Sequence, residues 1–217
     1  FLKAKESGKV RQPRENVLIF STLVPHIYHF NTTRIVGKKG IDVFQLTEAE
    51  IEGRRQTLEL FSLFKKHSPR FRNAYLAKMA CQIGVRETRR VMGKYILNET
   101  DVLEARKFDD GIARSNYPID IHNPVGPGTV LKKIKCGGYY EIPYRCLVPR
   151  DVNNLLIGSR CVSSTHGAHS SLRIMPVVSG IGEAAGLAAA KAVLNKIPPG
   201  DIPGNILKDE MLGQIPA

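Results

Sequence analysis

Apolar and polar positions change period several times along this chain, and each change marks an element. Residues 16–24 and 26–36 are rich in β-branched and apolar side chains and meet at Pro25. They predict two strands, the second ending at Gly37 and Gly40. On such a strand His26 and His29 point to opposite faces, which argues against a shared metal site. Thr47-Glu48-Ala49-Glu50 forms a capping box. Apolar residues at 51, 58, 61 and 64 then recur with helical period, so a helix is predicted to His67, where Pro69 stops it. Glu48, Glu50 and Glu52 at its start and Lys65 and Lys66 at its end suit the helix dipole. A short helix is predicted over 73–80. Ile83, Val85, Val91 and Ile96, with Gly84 and Gly93 between them, predict extended backbone over 83–97.

A second capping box, at 100–104, opens a short helix that Gly111 ends. Residues 117–122 read as a strand, on which Asp120 and His122 share a face. Residues 123–128 form a loop. Strands follow at 129–134 and 139–142 about a Gly137-Gly138 turn, and at 144–148. The run Leu155-Leu156-Ile157, ended by Gly158, reads as a buried strand. A polar loop from Arg160 to Ser171 comes next, then a helix from about Pro176 to Leu194, since Ala favours helix and Pro fits a first turn. Gly180 and Gly182 admit two readings. One is a dinucleotide turn of the pattern G-x-G-x-x-A. The other is a helix whose small residues at 180, 184 and 188, and at 182, 186 and 190, make two smooth faces. Pro176 in mid-strand weighs against the first. A last short helix is expected at 206–211, and residues 1–15 read as a loop.

Composition narrows the class. The 217 residues are 42% apolar and 24% charged, as in an ordinary globular protein. No apolar run approaches the roughly 20 residues that span a bilayer, so no membrane partner is expected. The net charge of +12 raises the alternative of a basic module for nucleic acid or an acidic partner. The basic groups are scattered, without interleaved aromatics, so no nucleic-acid partner is expected. Cys81, Cys136, Cys146 and Cys161 form no C-x-x-C pair, which suggests reduced thiols and a cytoplasmic location.

The densest pattern is at 154–190. Asn154-Leu155-Leu156, Arg160-Cys161, Ser163, Thr165-His166, Ser171, Arg173, Met175-Pro176 and the run from Gly182 to Ala190 resemble the C-terminal signature of the FAD-dependent oxidoreductase family. The block from Gly84 to Tyr95, Tyr117 to His122, and Tyr140 to Pro149 are similar to that family as well. The resemblance implies an α/β flavoprotein, α+β over these residues. Residues 1–150 would form a β-rich, substrate-facing region, and 151–217 the last strand and helix of the FAD domain. It implies flavin-mediated hydride transfer on a small molecule, with FAD as cofactor. Arg86, Asp120 and His122 become candidate catalytic residues. Gly158, Arg160, Ser163, His166, Ser171, Arg173, Met175, Pro176 and Gly180 become candidate cofactor contacts, with no metal. No strand–Gly-x-Gly-x-x-Gly–helix unit precedes residue 30, so the ADP half of FAD is expected to rest on an N-terminal half or a subunit. A fragment that folds but binds no flavin is the remaining alternative.

Overall fold

The computed structural model describes residues 1–122, 128–135 and 137–213; of His122 only the backbone is described. The loop predicted over 123–128 therefore lies largely outside the described residues, as does Cys136. The chain is a mixture of helices and small two-stranded sheets. Packing divides it into two compact units, Phe1–Arg86 with His122–Gly128, and Glu87–Ile121 with Thr129–Ala217. This is a division by packing; the boundary expected at 150/151 is one of role.

In the first unit a short helix α1 (Leu2–Glu6) forms where a loop is predicted. Strands β1 (Ile19–Ser21) and β2 (Tyr28–Phe30) pair antiparallel, with Ile19 opposite Phe30. They are shorter than predicted, because the turn between them takes up His26 in a left-handed conformation at φ 64°. His26 is thus a turn residue, while His29 lies near the Phe20 ring, 6.3 Å between centroids. Helix α2 (Val43–His67) begins before the predicted box. Its cap is Asp42, whose Oδ1 accepts from the N–H groups of Phe44 and Gln45 at 3.0 and 3.2 Å. Thr47 sits inside the helix and donates back to the Val43 carbonyl. The buried face is Ala49, Gly53, Gln56 and Leu60, so the stripe predicted through Ile51 and Leu58 is rotated outward. Hydrogen bonding decides this: Gln56 is buried and exchanges two bonds with the Arg34 backbone, at 2.9 and 3.0 Å. Phe30, Phe64 and Phe71 close the other end of α2, with centroids 5.4–5.8 Å apart. The helix predicted over 73–80 does not form.

The second unit is built on β3 (Gly111–Ser115) and β6 (Tyr140–Pro143), an antiparallel pair with Ala113 opposite Ile142. The hairpin predicted between 129–134 and 139–142 is absent. Instead β5 (Thr129–Lys132) pairs with β4 (Ile119–His122). Residues 144–146 form a 3-10 turn, not a strand. Helix α3 (Glu99–Leu103) has its capping box two residues earlier than predicted, between Asn98 and Asp101. Three helices complete the unit: α4 (His166–Leu172), α5 (Met175–Asn195) and α6 (Gly204–Leu212). Both α5 and α6 pack on β3. The buried residues of α5 and Leu207 of α6 join Ile112, Ile119, Tyr140, Ile142, Leu147 and Leu172 in one core. Unbroken helix from 175 to 195 excludes the dinucleotide turn at Gly180 and Gly182.

By length and composition alone α5 is apolar enough to cross a bilayer, contrary to the sequence expectation. It packs Val177, Ile181, Ala184, Ala188 and Ala192 into this core.

Candidate functional site

An extended segment delivers one side of the site. Residues 91–97 run between two loops, Val91 N–H donating to Cys161 O at 2.9 Å and Leu97 N–H to Ser163 O at 3.2 Å. Gly93 permits this passage, since a Cβ there would lie 2.8 Å from Ser163 Cβ and 2.9 Å from Cys146 O. The thread places Glu87 and Arg90 beside the start of α4. The predicted polar loop is largely that helix, capped by Thr165, whose Oγ1 accepts from Ala168 N–H at 3.4 Å. Gly167 through Leu172 are buried, and His166 is left exposed.

Glu87 is the hub. Its Oε2 lies 2.7 Å from His166 Nδ1 and 3.6 Å from His169 Nδ1, and Oε1 pairs with the Arg90 guanidinium. An ionised carboxylate only accepts, so His166 carries its proton on Nδ1 and presents Nε2 outward. His169 is the opposite tautomer: Nε2–H donates to the Arg160 carbonyl at 3.1 Å. Its Nδ1 is buried without a hydrogen-bond partner. Burial, then the charges of Arg90 and Arg173, hold His169 neutral by pushing its pKa down to about 4. His166 is lowered by the same causes in the same order, with Glu99 acting the other way.

A second set of bonds joins α4 to β4. Asp120 N–H donates to Ser170 Oγ at 3.1 Å, and Arg173 donates to the Asp120 carbonyl at 3.1 Å. Tyr117 reaches the Asp120 carboxylate through its hydroxyl at 3.4 Å. Ser171 is fully buried, donating to Tyr117 O at 2.6 Å and holding Tyr140 at 2.7 Å. Both bonds are internal to the fold.

Two residues after α4, α5 starts at Met175 with Pro176 in its first turn and no side-chain cap. Met175 is 85% exposed. The positive dipole end of α5 and the Met175 N–H therefore start at an exposed position, while Pro176 carries no N–H and Val177 is buried. Gly158 packs against α5, where a Cβ on it would lie 3.6 Å from Gly182 Cα, and Gly180 faces Ala113. The run at 155–157 is not a strand: Ile157 N–H donates to Leu147 O at 2.9 Å, and Leu155 is exposed. Ser163 is buried with its hydroxyl unpartnered.

Of the predicted residues, Arg160, Ser163, His166, Ser171 and Arg173 gather about α4, and Met175, Pro176 and Gly180 follow on α5. Asp120 adjoins them through Arg173 and Ser170. Arg86 is exposed and belongs to the first unit; the His122 side chain lies outside the described residues. Neither His169 nor Glu87 is among the residues predicted for the site. The three-residue spacing of His166 and His169 was their visible signal, but it has meaning only on a helix.

A family model described as FAD dependent oxidoreductase matches residues 2–211. No curated protein and no solved structure matches the chain.

Proposed function

The chain belongs to the FAD dependent oxidoreductase family, and from that premise we propose that the second unit holds the ring and ribityl end of a flavin during hydride transfer on a small molecule. What supports the reading is the start of α5, which has no side-chain cap and has Arg173 two residues before it, together with Arg160 and His166 at the approach to the neighbouring α4. The residues suit a flavin: N–H groups and a helix dipole for the electron-rich pyrimidine edge, guanidinium groups for ring oxygens or phosphate. When bound, flavin supplies the hydride chemistry; the protein supplies orientation, charge and exclusion of water. Gly158 lets its loop lie against α5 at Gly182 and Ala185.

Catalytic roles for Arg86, Asp120 and His122 belong to the same proposal, as does an ADP half held by groups that these 217 residues do not supply. The test is titration of FAD fluorescence with the protein. Saturable quenching that weakens about tenfold or more in Arg173→Ala and Arg160→Ala is expected, the loss of roughly one charge-assisted bond each. Absence of saturable quenching would sink the proposal.

A further inference from the structure

We propose that His166 is a catalytic proton acceptor for an anionic substrate, with Glu87 as its positioning residue. The inference rests on the site proposed above but concerns the substrate side of it. Three observations carry it. The Glu87 carboxylate is 2.7 Å from His166 Nδ1, which fixes the tautomer with the basic lone pair on Nε2. The His166 side chain is 57% exposed, whereas Glu87 is 18% exposed, so the acceptor nitrogen is accessible while its orienting group is sheltered. The Arg90 guanidinium pairs with the same carboxylate and Arg173 closes the end of α4, so cationic side chains flank this helix and favour a negative group there.

The step is a proton transfer. An acidic O–H, N–H or C–H bond of the substrate breaks, a new N–H bond forms at Nε2, and the electron pair stays on the substrate atom. Glu87 stabilises the imidazolium that results, and the two arginines stabilise the negative charge left on the substrate. His166 is poised for this because burial and the charges of Arg90 and Arg173 hold it below the ordinary imidazole value, against Glu99, which raises it. It is therefore neutral at pH 7. His169, on the same carboxylate, is buried and cannot take this role: its Nε2 is spent on the Arg160 carbonyl.

The experiment uses the 217-residue chain without flavin, so its failure is separate from failure of the quenching titration. Imidazole nitrogen resonances would be recorded against pH, with His166 assigned through H166Q. At pH 7 His166 is expected as the neutral Nδ1–H tautomer. In E87Q that preference and the acceptor geometry are lost, and E87D restores part of it. An Nε2–H tautomer in the wild type, or no change in E87Q, overturns the proposal. Diethyl pyrocarbonate supplies the second readout. It should acylate His166 much faster than His169, and oxalate, a small dicarboxylate probe, should slow that acylation several-fold. If oxalate gives no protection, the anionic-substrate assignment falls.

Discussion

Two buried side chains of the second unit have clear consequences at the scale of single residues. His169 binds a proton less readily in the fold than in the unfolded chain, whose histidines titrate near 6.5. Below that value the unfolded state takes up protons that the fold refuses until the pH reaches about 4. His169 thus contributes stability that is present above pH 6.5 and lost as pH falls towards 4, at most about 3 kcal/mol on the shift alone. Urea unfolding of wild type and His169→Gln at pH 7.0 and pH 4.5 is expected to show a steeper acid loss for wild type. Equal pH dependence in the two proteins would contradict it. Cys146, by contrast, is a thiol that stays a thiol. Burial pushes its pKa up to about 12, while Cys81 and Cys161 are exposed. Brief iodoacetamide treatment of folded protein, read by mass spectrometry, should label Cys81 and Cys161 and leave Cys146 unlabelled.

Among the elements, α5 and β6 show what sequence can and cannot convey. The length of α5 was legible to one residue at each end, because alanine propensity, the early proline and the prolines after 197 all agree. Which of its small residues serve packing was not legible, since that depends on neighbours distant in sequence. Gly186 has nothing within 4 Å of a built Cβ, so Gly186→Ala should stabilise by up to about 1 kcal/mol. Gly158 instead would place its Cβ 3.1 Å from Ala185 Cβ, and Gly158→Ala should destabilise. Thermal melts of both variants check the opposite signs. On β6, Glu141 is 2% exposed, yet nothing in its sequence context marks it as buried. It accepts from Phe108 N–H and Lys208 Nζ, each at 3.0 Å, and so ties the sheet to α6. Removing it in Glu141→Ala strands a half-buried lysine and a backbone donor. A loss of about 3–5 kcal/mol in denaturant unfolding is expected. The same dependence on distant partners explains the misplaced strands at 129–148: β6 has the right residues for a hairpin, but its ladder is made with β3. Caps were mislocated for a related reason. Thr47 matches the box pattern with Glu50, and Thr100 misses it by one place because Glu104 is four residues on, but Asp42 and Asn98 sit where the backbone leaves the extended region.

For the molecule as a whole, the central question is how much of a dinucleotide cofactor these residues can hold. A pyrophosphate needs converging backbone N–H groups, and a helix start free of carboxylates is the usual source. Three described helices are long enough to matter, and each can be judged by itself. The start of α2 is occupied by the Asp42 carboxylate, which accepts two of its N–H groups. The start of α6 is pressed against Asp110, as a Cβ on Gly204 would lie 2.4 Å from Asp110 Cβ. The start of α5 has no side-chain cap and no acid in its first turn, and Met175 there is exposed. One open helix start can serve the flavin ring or a phosphate, but not both ends of FAD. It follows that the adenosine half adds little to binding by these 217 residues. FMN and FAD should bind with affinities within about tenfold of each other, a difference of no more than about 1.4 kcal/mol, and both no tighter than micromolar. Parallel calorimetric titrations with the two ligands measure this directly. FAD binding a hundredfold tighter than FMN would mean that a second anion site exists in this chain, and that the start of α5 is not the principal contact.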